Sequence, residues 1–168
     1  MANGIFNIAR GRGRVWYDAI DGNLAAAAGG ITFTANSALV IVLLKSAGLV
    51  ADATLADYDD LSALLAGASD EADFTNYARK ILTDADIGAS AQDDTNERLD
   101  LDIPDQTWTA AGGGTNNTLG KLLVCVDSDT TGGTDSSIVP WTFHDFTATT
   151  DGNDLVAQIA AAGFYRSA

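Results

Sequence analysis

The stretch Ala38-Leu39-Val40-Ile41-Val42-Leu43-Leu44, closed by Lys45, runs through seven aliphatic residues without a polar interruption. A membrane-crossing helix needs about 20 apolar residues, so this run is too short to span a bilayer. Its β-branched content and its lack of alternation mark a strand covered on both faces. Leu119–Val126 reads as a second strand of the same kind. Ile31–Thr34 precedes the first, across the turn residues Asn36-Ser37, and the glycine pair Gly29-Gly30 makes a flexible approach.

Outward from these strands the period changes. Leu55, Tyr58, Leu61, Leu64 and Leu65 recur at helical spacing; Thr54 and Asp57 resemble a capping pair and Gly67 a stop, which predicts one helix near 54–66. Residues 70–82 fit a helix or an exposed strand. Asp84–Asn96 is acidic and turn-rich, a surface loop. Leu99-Asp100-Leu101-Asp102-Ile103 alternates strictly, so one face is buried and carboxylates line the other. Gln106–Thr109, Ile138–Thr147, Leu155–Ile159 and Phe164–Tyr165 complete a β-rich C-terminal half. The expected fold is mainly β with a small helical insertion (α+β), a compact antiparallel sandwich or barrel. Residues 1–30 are expected to form a flexible N-terminal arm, and 31–168 a single β-rich domain.

Twenty-three acidic residues against nine basic ones leave a charge of −14 over 168 residues. A body of that sign is a poor partner for nucleic acid or an anionic membrane, both polyanions. One cysteine cannot close an internal disulfide, and Cys125 with the single histidine, His144, cannot make a Cys/His zinc site. The first residues show no basic segment leading into an apolar one, so no secretory signal is expected. Residues 1–20 carry Arg10, Arg12 and Arg14 against Asp18, a local excess of positive charge on an acidic chain. With Trp16 they are the candidate partner-binding residues, on an arm that orders against another surface. The alternative is a frayed, solvated terminus.

Candidates for chemistry are few. His144 lies in Trp141-Thr142-Phe143-His144-Asp145-Phe146, where alternation puts it on the face of Thr142 and Phe146 and opposite Asp145. Asp145 is therefore badly placed to orient it for nucleophilic catalysis, and a strand histidine satisfied by backbone or water is expected. Cys125 sits in an apolar run and reads as core. Asp127, Asp129 and Asp135 lie at spacings that suit calcium, although the loop lacks the fifth-position Asp and terminal Glu of an EF-hand; a hydrated turn is the competing reading. Gly112-Gly113-Gly114 lacks the lysine of a phosphate loop. Trp16, Trp108 and Trp141 suit either a sugar platform or a buried core. No catalytic residue and no cofactor is indicated.

Several stretches together resemble small tailed-bacteriophage virion proteins of the capsid decoration, or cement, type. They are Asn76–Leu82, Asp93–Asn96, Asp105–Thr115, Leu122–Asp129, Ile138–Phe146 and Gly163-Phe164-Tyr165-Arg166. The likeness spans roughly residues 35–168, carries no catalytic motif, and favours a strand from Tyr77. It implies a non-enzymatic protein made in the host cytoplasm without a signal peptide. Such a protein binds the outside of the capsid as a homotrimer and cements the major capsid protein. A neck or tail component of the virion is the alternative within that class; a calcium- or glycan-binding β module is the alternative outside it.

Overall fold

Ala38–Lys45 is the middle of the molecule. In the computed structural model, which describes residues 3–22, 25–67 and 70–167, every residue from Ala38 to Leu44 is buried. The elements in chain order begin with β1 (Gly4–Ile5), α1 (Gly13–Asp21), β2 (Ala27–Ala28), β3 (Ile31–Thr32) and β4 (Ala38–Lys45). Two short helices follow, α2 (Asp52–Leu55) and α3 (Leu61–Ala66), and then β5 (Lys80–Leu82), β6 (Ala91–Asp93) and β7 (Arg98–Leu101). The chain closes with β8 (Gln106–Trp108), β9 (Thr118–Asp127), β10 (Val139–Thr149), β11 (Leu155–Ala157) and β12 (Tyr165–Ser167).

A five-stranded antiparallel sheet in the order β1-β10-β9-β4-β5 carries the core. β4 lies between β9 and β5, with Ile41 opposite Val124 and Lys80, an interior place that suits its apolar run from Ala38 to Leu44. Three smaller antiparallel sheets pair β12-β7-β6, β11-β8 and β2-β3. The fold is thus mainly β with short helices, and no closed barrel forms among the described strands. Alternation in β7 holds: Leu99 and Leu101 are buried while Asp100 is partly exposed.

The N-terminal segment departs from the expected flexible arm. Residues 4–21 are folded into the body: β1 pairs with Thr142 and Phe143 of β10, and Phe6, Trp16, Tyr17 and Ile20 are buried. The physical reason is the spacing Trp16, Tyr17, Ile20, one apolar stripe of a helix. Trp16 meets Trp141 edge to face at 6.2 Å, and the Tyr17 hydroxyl donates to the Asp102 carbonyl at 2.7 Å. Gly13 opens the helix because a Cβ there would stand 2.6 Å from the Trp141 ring.

The single helix expected over 54–66 is also corrected. It is two helices, and Asp60, not Thr54, caps the second by accepting from the Ala63 amide at 2.7 Å. Asp57 accepts from the Asn7 carboxamide and the Tyr58 hydroxyl donates to the Gly67 carbonyl, so the acidic run is spent on turns and caps. From the ambiguous region 70–82, only Lys80–Leu82 is regular, as a strand on the sheet edge.

Candidate functional site

Of the four residues expected to bind a partner, three lie on the surface and one does not. Arg10 and Arg12 are exposed in the turn that leads into α1, and Arg14 is exposed in its first turn. Trp16 is fully buried and its indole N–H donates to the Gly29 carbonyl at 3.2 Å, which removes it from any docking face. Arg14 is paired with Asp18 one turn on, at 3.1 Å. Arg79, Arg98 and Arg166 each hold carboxylates as well. Among the described residues Arg10 and Arg12 meet none; Arg10 donates only to the Asn7 side chain, at 3.0 Å. On a chain with 23 acidic residues, these two guanidiniums have no carboxylate partner among the described residues.

The acidic loop does not gather its carboxylates. Asp135 is gripped by Arg79, whose Nη1 and Nη2 reach its two oxygens at 2.6 and 2.9 Å, and this contact holds its carboxyl below the usual range. Asp129 accepts from the Thr131 hydroxyl at 2.6 Å, and Asp127 from the Asp129 amide at 3.0 Å. Burial raises Asp127. No group of three or more His, Cys, Asp or Glu side chains with metal-site geometry occurs among the described residues. The three tryptophans are all core, each no more than 1% exposed. Cys125 is buried, and burial pushes its thiol up, away from reactivity.

The third location was invisible as a site in the sequence. β10 carries a bulge between Asp145 and Ala148, and beside it lies a cleft of about 350 Å³. Its apolar walls are Leu122, Phe146, Ala157, Ile159 and Phe164, and its polar groups are Asn3, His144, Asp145 and Gln158. His144 and Thr142 share a face as alternation requires, with Nε2 2.9 Å from Thr142 Oγ1. Burial, then the nearby Lys121 ammonium, lowers the imidazole pKa and keeps it neutral. Lys121 is only 4% exposed and is ion-paired to both Asp52 and Asp145. Burial works against its charge, but the bonds to Asp145 and Asp52 win, and its pKa is raised. Asn3 fastens the outer edge of β10 by accepting from the Asp145 amide at 3.3 Å.

No single motif announced the cleft, because it is assembled from residues 3, 122, 144–146 and 157–164. The one sequence signal was His144, the single imidazole of the chain, on the strand face it shares with Thr142 and Phe146. No family model, no curated protein and no solved structure matches the chain. Among the described residues no helix is long and apolar enough to cross a membrane.

Proposed function

We propose that this chain is a non-enzymatic structural protein of a tailed-bacteriophage virion, docking on the outside of the capsid and cementing major capsid subunits. The observation that carries the proposal is a short basic ridge of the chain, Arg10 and Arg12, both exposed and, among the described residues, without a carboxylate partner on a strongly acidic chain. Exposed arginines without an internal carboxylate suit the bidentate recognition of carboxylates on a partner surface. The sequence resemblance over residues 35–168 supplies the partner's class. Because Arg10 and Arg12 lie in a turn held between the buried Ala9 and α1, and not on a loose arm, docking loses little backbone conformational entropy. Several copies bound as a trimer would add avidity at the local three-fold positions of a shell.

Deleting residues 1–17 is unsuitable as a test, since it removes Phe6 and Trp16 from the core. The double variant Arg10→Glu/Arg12→Glu changes exposed residues only. It should unfold within about 0.5 kcal/mol of the parent and fail to co-sediment with purified shells, which the parent protein saturates at three-fold stoichiometry. Equal co-sedimentation of the variant overturns the ridge as anchor. A ring of six or twelve copies that ignores shells overturns the cement reading in favour of the neck or tail.

A further inference from the structure

The cleft beside the β10 bulge uses none of the ridge residues, and its chemistry points to a ligand of its own. We propose that it is a binding site for an uncharged carbohydrate of one or two sugar rings. Three observations converge on that class.

The first is size: about 350 Å³ lies at the low end for small-molecule sites, room for a ring or two and not for a long chain. The second is the balance of its polar groups. Asn3 and Gln158 carry carboxamides, each both donor and acceptor, and Gln158 is exposed with no hydrogen-bond partner among the described residues. His144 Nε2 is engaged by Thr142, so a further hydrogen bond from this ring would be made at Nδ1. The Asp145 carboxylate is already matched by Lys121, so it accepts hydrogen bonds without calling for a cation. Such a set suits hydroxyl groups, which donate and accept together, better than it suits an ion.

The third is the apolar wall. Phe146 is partly exposed, lines the cleft and packs against no other aromatic ring among the described residues. A sugar ring has one face of C–H bonds and a rim of hydroxyls, and a cleft lined by both an aromatic side chain and carboxamides is complementary to both. The bulge itself fits: an extra residue in a strand re-aims its neighbours, and here it falls at the residues that line the cleft.

The test uses the whole protein, labelled with ¹⁵N, and three probes: glucose, galactose and N-acetylglucosamine. Each is titrated to ~50 mM, enough to populate a site of millimolar Kd. The expected result is a saturable shift of the Asn3 and Gln158 side-chain amides and of the His144 ring with at least one sugar. Ala160→Trp, a change on the exposed rim, should fill the cleft and weaken binding at least tenfold. Gln158→Ala, which removes no hydrogen bond among the described residues, should weaken it about 2- to 12-fold. Absence of any saturable shift overturns the proposal, as do shifts that persist in Ala160→Trp. Stronger binding of n-butylamine or acetate at the same resonances also overturns it, because the site would then select charge.

Discussion

Arg79 is the residue whose removal the structure prices most clearly. Its guanidinium makes two bidentate grips: to Glu71 at 2.8 and 2.6 Å, and to Asp135 at 2.6 and 2.9 Å. Glu71 also accepts from the Tyr77 hydroxyl at 2.8 Å, and that hydroxyl accepts from the Leu43 amide of β4 at 3.2 Å. Arg79 therefore ties the loop after β9 and the segment before β5 to the central sheet. Its side chain is 25% exposed, with Glu71 at 20% and Asp135 at 37%, between the surface and buried limits. Breaking a fully buried pair costs about 3–5 kcal/mol and an exposed one under ~1 kcal/mol, so Arg79→Met should cost about 2–3 kcal/mol. For a chain of this length that lowers Tm by about 4–12 °C. Arg79→Lys keeps the charge and loses the fork, and should recover about half of the loss. Urea unfolding with a double-mutant cycle through Asp135→Asn measures the coupling directly. A loss below ~1 kcal/mol with unchanged m would refute the reasoning. The acid limb gives a second check. Asp135 is held below the ordinary carboxylate range, so its contribution is complete above about pH 4 and fades as pH falls through its folded value. Arg79→Met should lack that part of the acid slope.

Three further outcomes are expected. Trp16→Ala empties a fully buried site beside Trp141 and should cost about 3–5 kcal/mol by urea unfolding; a loss under ~1 kcal/mol would mean that α1 is not part of the cooperative core. Gly163→Ala should cost at least ~2 kcal/mol, because Gly163 has φ +75° and a Cβ would stand 2.1 Å from the Leu101 carbonyl oxygen; a thermal shift within error would show that this turn relaxes freely. His144 binds its proton less readily folded than unfolded, so the parent should lose stability as pH falls below about 6.5 toward the lower folded value. His144→Gln should be flat between pH 7 and 6 in melting experiments, and an unchanged slope would assign that window to another group.

What could be read in advance followed from what is local. β4 and β9 were legible because an uninterrupted apolar run needs no partner to be recognised, and β7 because Leu99 and Leu101 alternate with Asp100. α1 was missed although Trp16, Tyr17 and Ile20 lie at helical spacing with Gly22 as its stop, because three arginines and three glycines around them read as a pliable tail. The break between α2 and α3 depended on Asp57 finding Asn7, fifty residues away, which periodicity does not encode. The same holds for Asp135, whose carboxylate looked available to an ion until Arg79 was seen across 56 residues of chain. The cleft is the extreme case: His144 was visible, its surroundings were not.

The topology of the central sheet has a consequence for how the protein is made. β4 is complete at Lys45, but its longer neighbour β9 starts only at Thr118, and the outermost pairing joins Gly4 to Phe143. At a synthesis rate of about 5–20 residues per second, β4 waits ~4–15 s on the ribosome for β9. During that time seven uncharged, proline-free aliphatic residues lack their longer partner strand, with only the short β5 available to one edge, and theirs is the composition of a segment that zips with its own copies. Lys45 and the acidic stretch that follows are the charges placed to hold neighbouring nascent chains apart. Yield of native protein should therefore depend on translation speed and chaperone supply more than on equilibrium stability, with aggregates that begin at β4.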